Sequence, residues 1–275
     1  MILKNRLLRQ TPILAFVCLM VLAACSSVPV TGRRQLNLIP GSTMLTMSAQ
    51  QYGDFLKGNK VIAADDKQTQ LVKKVGLKIQ HAVESYFQQN NLSDELAGYN
   101  WEFNLVESKD VNAWCMPGGK VVVYTGILPV TQTEAGLAVV LGHEIAHAVA
   151  QHGSERMSQG LLAQFGGMAL SQVLAEKPEQ TKQLYMTAFG LGAQFGVLLP
   201  FSRTQESEAD HLGLIFMSMA GYDPNEALTF WQRMAAQKKG EAPPEFMSTH
   251  PADQTRIEEI KQELPEALKY YHKPK

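Results

Sequence analysis

Two histidines one helical turn apart with a carboxylate between them, His143-Glu144-Ile145-Ala146-His147, are the residues of this chain best disposed to do chemistry. On a helix, positions i and i+4 share a face, so His143 and His147 can aim ring nitrogens at one metal ion. Glu144 sits beside that face, within reach of a metal-bound water. The chemistry this predicts is metal-assisted hydrolysis with a general base. Chance alone produces the pattern in roughly one chain in a hundred of this size, so a second signal is needed.

A hydrolytic zinc site takes three protein ligands and leaves a position for water. A third histidine six residues on is ruled out, because Gly153 stands where that pattern requires it and Ala150 where it requires glycine. The alternative is a carboxylate on a later helix. Glu206 and Asp210 stand at i and i+4, so one carboxylate can bind the metal while the other accepts a hydrogen bond from a ligand imidazole and fixes its ring; the resemblance described below implies Glu206 for the first role and Asp210 for the second. Two imidazoles and a carboxylate suit Zn2+, one ion per chain, and lower the pKa of bound water to about 7. Glu144 would take the proton of that water. His250, just before Pro251 at an expected helix start, reads from position alone as a residue facing solvent; the resemblance described below implies instead a place beside the metal, where it would either donate to the developing oxyanion or occupy the open zinc position and hold the site shut. His152, five residues beyond His147, turns away from the metal-binding face and reads, with His81, His211 and His272, as structural or surface.

The elements that must position these residues can be read from start and stop signals. Thr131 to Glu134 and Ser202 to Gln205 read as capping boxes opening the two ligand-bearing helices, with Gly153 and Ala220-Gly221 closing them. Helices are expected at 42–57, 65–90, 132–152, 155–175, 179–198, 203–220, 224–239 and 251–263. Strands are expected at 101–106, 111–115 and 120–124, with Met116 to Gly119 as a turn. The apolar stretches 161–175 and 184–201 are broken by Gln164, Gln172 and Gln194; they read as a buried helical hairpin rather than membrane spans.

The chain resembles the gluzincin metallopeptidases that include the HtpX heat-shock protease and the CaaX prenyl-protein endopeptidase, and within them the periplasmic lipoprotein branch of LoiP-like and BepA-like proteins. The resemblance rests on Asn112-Ala113 with Pro117-Gly118-Gly119, on His143-Glu144 and His147, on Ser202-Arg203 with Glu206, Glu208, Ala209 and Asp210, and on Thr249-His250-Pro251 with Arg256-Ile257. It implies an α+β, predominantly helical fold, with a small edge-strand sheet beside the His143 helix. It also implies zinc, endopeptidase activity and a role in envelope protein quality control. Asn112, Ala113 and Gly119 would then belong to an edge that hydrogen-bonds an extended substrate. The partners implied are unfolded or misassembled envelope polypeptides and outer-membrane assembly proteins.

The N-terminus bounds location. Lys4, Arg6 and Arg9 precede an apolar run from Ile13 to Ala23 that ends in Leu22-Ala23-Ala24-Cys25, the pattern of a lipoprotein signal over residues 1–24 with Cys25 as the lipidated residue. Ser26 after it resembles the default for the periplasmic face of the outer membrane. Residues 25–40 read as lipidated cysteine and tether, and 41–275 as the peptidase domain. Removal of the signal lowers the formal charge from −1 to −4, and nothing in that balance suggests a nucleic-acid surface. Only Cys115 is then left, so no intramolecular disulfide is available. The rival to a peptidase is a chaperone-like or scaffold lipoprotein whose zinc site His250 keeps blocked.

Overall fold

Helix α1, Gly41–Gly58, buries Met44, Ser48 and Tyr52, three positions spaced by four. Helix α2, Lys67–Gln89, starts where the Asp66 carboxylate accepts hydrogen bonds from the amides of Gln68 and Thr69. It buries Val72, Val75, Ile79, Val83 and Phe87 along one face. These elements come from a computed structural model that describes residues 25–194, 198–236, 245–251 and 254–272. The expected signal segment 1–24 lies outside the described residues.

By compactness the chain divides into two units, one formed by residues 42–153 and 199–275 and the other by 1–41 and 154–198. In the first, strands β3 (Glu102–Val106), β4 (Ala113–Met116) and β5 (Lys120–Tyr124) form a sheet in the order β3-β5-β4. β3 runs parallel to β5, and β4 pairs with it antiparallel through the expected turn. Gly118 and Gly119 hold φ of +85° and +78° there. A Cβ on Gly119 would stand 2.5 Å from the Trp101 ring, so both backbone and packing demand glycine.

Helix α3, Glu134–Val149, carries the His143 motif, and every residue from Gly136 to Val149 is buried. It packs against β4, α2 and α6 (Leu199–Met219). The start of α3 differs from expectation: the cap is Thr133, whose hydroxyl accepts from the Gly136 amide, while Thr131 closes the preceding one-turn helix. Ser202 opens no helix either, because α6 already begins at Leu199. Gly221 does end α6: at φ +84° it lets its own amide reach Ser218 O and the Tyr222 amide reach Met217 O, a Schellman closure.

The second unit holds a hairpin of β1 (Cys25–Ser27) and β2 (Arg34–Leu36), most of α4 (His152–Val173), and α5 (Glu179–Ala193). Arg33 pairs with both carboxylate oxygens of Glu155 at 2.9 and 2.7 Å, and the Leu38 amide donates to Ser158 Oγ. The expected burial of the α4–α5 pair is overturned: Phe165, Met168, Val173, Leu184, Tyr185 and Leu191 are exposed, and α5 has no buried residue. The two helices meet where Gly166 and Gly167 face Phe189, which leaves these six apolar side chains outside the contact. Among the described residues no helix is long and apolar enough to cross a membrane.

Among its described residues the first unit also contains α7 (Glu226–Ala236), the short α8 (Glu245–Thr249) and α9 (Gln254–Tyr270).

Candidate metal centre

The site exists because two helices approach closer than side chains normally permit. A Cβ on Gly142 would lie 2.8 Å from the Gly213 carbonyl oxygen, and one on Gly213 2.9 Å from the His143 amide nitrogen. With no Cβ on either side, α3 and α6 cross backbone to backbone. That contact delivers His143 and His147 to Glu206 and Asp210, which lie two turns and one turn before Gly213 respectively.

His143, His147, Glu206 and His250 are all buried and offer donor atoms within 4.8 Å of one another. His143 Nε2 stands 3.1 Å from His147 Nε2 and 3.1 Å from His250 Nδ1. Glu206 lies 3.2 Å from His147 Nε2, 3.4 Å from His143 Nε2 and 2.8 Å from His250 Nδ1. Three imidazole edges and a carboxylate pointing at one another, out of water, form a concentration of lone pairs that burial penalises unless a cation sits among them. This donor set fits Zn2+, with nitrogen and oxygen ligands only. His250, for which two roles were open, thus lies among the donors themselves.

The far nitrogens of the rings are held as well. His143 Nδ1 is 2.9 Å from Asp210 Oδ1, so the residue expected to support a ligand imidazole meets one. Asp210 is itself clasped by Arg256, Nε at 2.6 Å and Nη2 at 2.7 Å. Arg256 lies 3.2 Å from Glu206 and stacks 3.6 Å above the Trp231 ring. Burial opposes the charges on Asp210 and Arg256, yet each overrides it for the other: the carboxyl is held low and the guanidinium high. Burial likewise opposes the charge on Glu206, but hydrogen bonds to His143, His147 and His250 hold its carboxyl far below the usual range. Burial pushes His147 well below its ordinary value, against the pull of Glu206. For His143 burial is outweighed by the hydrogen bonds to Asp210 and Glu206, which raise it to about 9.

Glu144 is 4% exposed and its Oε1 lies 3.4 Å from His250 Nε2. Asn112 and Ala113 lead into β4, at the edge of the sheet on which α3 packs. The Asn112 carbonyl accepts from the Tyr124 amide on β5, so the Ala113 N–H, at the other side of the same peptide plane, points to the open edge. There the Asn112 Oδ1 accepts it at 2.9 Å. Gly119 lies in the turn at the other end of β4, not at the donor cluster. Cys115, on the same strand, is partly buried, and burial followed by the Glu144 charge pushes its thiol well up.

Three residues were missed or misread from sequence. His152 is fully buried, with Nδ1 2.7 Å from His147 Nδ1 and Nε2 2.9 Å from Glu208 Oε2, instead of turning away. Gln151, at φ +60°, breaks the helix and swings His152 back; the spacing argument took the helix as continuous. Arg256 stood in the quoted motif without a role, and Trp231 carried no sequence signal.

A model of peptidase family M48 matches residues 74–264. The mitochondrial metalloendopeptidase OMA1 of Schizosaccharomyces pombe is 36% identical over 243 residues, 87% of this chain and 66% of that protein. The mitochondrial metalloendopeptidase OMA1 of Homo sapiens is 31% identical over 251 residues, 88% of this chain and 46% of that protein. The beta-barrel assembly-enhancing protease of Escherichia coli is 26% identical over 226 residues, 79% of this chain and 44% of that protein. The chain thus spans about two thirds of the first relative and under half of the other two. Identity is higher to the mitochondrial proteins than to the bacterial protease, an order that the resemblance to a lipoprotein branch did not anticipate.

Proposed function

This chain belongs to peptidase family M48, whose members are zinc metallopeptidases, and from that premise we propose that it is an endopeptidase cutting unfolded or misassembled envelope proteins. The observation that carries the reading is the convergence of His143, His147 and Glu206 with Glu144 beside them in one buried cluster. His143, His147 and Glu206 hold the ion. Bound there, zinc supplies Lewis-acid polarisation of the scissile carbonyl and lowers the pKa of a water to about 7. Glu144 accepts the proton of the attacking water on a carboxylate oxygen and returns it to the leaving amine nitrogen. Asp210, clasped by Arg256, accepts from His143 Nδ1 and keeps that ring's other nitrogen aimed at the ion.

An extended substrate adds to the open edge of β4, where its carbonyl replaces Asn112 Oδ1 on the Ala113 amide. Gly119 keeps the β4–β5 turn tight enough for that edge to stay straight. Main-chain pairing of this kind accepts many side chains, which suits a protease of misfolded chains.

A second reading is favoured by one distance, His250 Nδ1 at 2.8 Å from Glu206. With His250 among the donors the position needed by water is filled, and the centre is latent until His250 withdraws. In that state the protein acts as a chaperone-like or scaffold lipoprotein. The anchoring is proposed from Leu22-Ala23-Ala24-Cys25: lipid on Cys25 holds the chain at the periplasmic face of the outer membrane, near outer-membrane assembly partners.

The test is digestion of casein by the zinc-loaded chain beside Glu144→Gln and His250→Ala. Cleavage by the wild type and none by Glu144→Gln supports the peptidase. Faster cleavage by His250→Ala supports latency, and slower cleavage assigns His250 to the reaction. Cleavage undiminished in Glu144→Gln would sink the assignment of the base. Palmitate labelling lost in Cys25→Ser tests the anchor.

A further inference from the structure

We propose that Glu208 and His152 form a relay that fixes the ring and tautomer of His147, and that both are therefore positioning residues for zinc. It rests on zinc binding at His147, as proposed above. To bind through Nε2, His147 must carry its one ring proton on Nδ1. That nitrogen faces His152 Nδ1 at 2.7 Å, a gap with room for a single proton. His152 Nδ1 must then be the acceptor, which leaves the His152 proton on Nε2. The only orientation consistent with both is donation from Nε2 to Glu208 Oε2, 2.9 Å away. Along these three side chains the protons fall in one direction: two neutral imidazoles, each donating towards the carboxylate, with a lone pair left at His147 Nε2.

The architecture makes this relay a clamp. Glu206 and Glu208 are two residues apart on α6, so they leave the helix on roughly opposite sides. Glu206 approaches His147 at Nε2, at 3.2 Å, while Glu208 reaches the Nδ1 side through His152. One helix thus holds both edges of one ring. The relay depends on Gln151 in the left-handed region, which turns the chain between α3 and α4 so that His152 folds back over His147. His152 is fully buried and Glu208 is 7% exposed, so the relay lies largely out of water. A carboxylate acting through His152 makes His147 a stronger donor and lowers the cost of ordering its ring, the effect that outer partners of metal-bound histidines have in general.

The experiment is competition for Zn2+ between the full chain and a chelator of known affinity, with thermal melts of the metal-free proteins alongside. His152→Ala is expected to weaken zinc binding by ~10- to 100-fold, the range for loss of such a partner. His152→Asn, whose amide oxygen can accept from His147 Nδ1, is expected to lose less than about tenfold. Metal-free melts of both should stay close to each other, separating the relay from packing. Alanine binding zinc as tightly as wild type overturns the relay, and so does asparagine falling as far as alanine. Should the alanine protein not fold, Glu208→Gln decides: several-fold weaker binding supports the relay, unchanged binding overturns it. A wild-type chain that binds no zinc sinks the metal reading itself, an outcome distinct from tight wild-type binding with indifferent variants.

Discussion

Helices α3 and α6 on one side, α4 and α5 on the other, are built from similar proportions of small and apolar residues, yet the first pair is buried nearly throughout and the second is largely exposed. Glycine shows the difference. Gly142 and Gly213 are spent on one backbone contact between the metal-bearing helices. A Cβ added to Gly153, Gly160, Gly190 or Gly192 would meet nothing within 4 Å, and one on Gly166 would meet only the Phe189 ring, at 2.9 Å, a side chain rather than backbone. A buried pair that must keep four donors within 4.8 Å tolerates no slack, because imidazole and carboxylate leave water only if their partners are already in place. The α4–α5 pair holds no donor set of this kind among the described residues. Density of contact follows the demand for fixed geometry rather than hydrophobicity.

Removal of zinc is the largest perturbation this contrast predicts. A ligand present at a thousandfold excess over its dissociation constant stabilises by about 4 kcal/mol, and chelation should withdraw that from the helices around the donors. At ~2–4 °C per kcal/mol for a domain of this size, the melting temperature should fall by on the order of 10 °C. Amide exchange resolves where: faster exchange in α3 and α6 with residues 160–190 unchanged sharpens the contrast, whereas uniform acceleration breaks it.

Next comes the glycine crossing. Gly213→Ala inserts a methyl 2.9 Å from the His143 amide nitrogen, against backbone that cannot step aside. Overpacking of this kind costs about 1–3 kcal/mol, and here it also displaces Glu206 and Asp210 from the histidines. Both stability and zinc affinity should fall in urea titration and metal competition. Gly190→Ala, with nothing near, should instead stabilise or leave the protein unchanged. Equal effects at the two sites would refute the idea that only one pair is tightly fitted.

The same contrast explains what could be read in the sequence. His143, His147, Glu206 and Asp210 were legible because i and i+4 spacing is a local rule, and the helices and strands fell close to their expected spans for the same reason. His152 was not legible, since its place depends on one left-handed residue, Gln151, that no spacing rule signals. Arg256 stacking on Trp231 is a meeting of α9 with α7, distant in sequence, which only tertiary packing creates. The exposure of Phe165 or Leu184 escaped notice because an apolar stretch does not say whether a partner covers it. The cap of α3 moved from Thr131 to Thr133 because both are threonines in the same turn, and the Gln132 conformation at φ +59° selects the second.

A smaller effect is expected at the α2 cap. Asp66→Ala removes the acceptor for the Gln68 and Thr69 amides, and Thr69 is buried. Loss of an N-cap costs about 1 kcal/mol. α2 packs on α3, so the loss should appear as a lower urea midpoint with an unchanged slope and unchanged zinc affinity. A fall in zinc affinity would mean that the donor geometry depends on α2 as well as on the α3–α6 crossing.

Smallest of all should be the polar substitution of exposed apolar residues on the hairpin. Val173 is 76% exposed and Leu184 69%, so each has little contact to lose. Changes at such positions lie within about 0.5 kcal/mol, and Leu184→Ser also removes apolar surface from water, which offsets what packing it forfeits. The Val173→Ser and Leu184→Ser proteins should therefore melt with the wild type, bind zinc as tightly and cut casein at the same rate. A loss of more than about 1 kcal/mol in the urea titration of either would show that the exposed face is covered in the native protein. In that case the hairpin is as closely fitted as the metal-bearing pair, and demand for fixed geometry no longer accounts for where this chain concentrates its contacts.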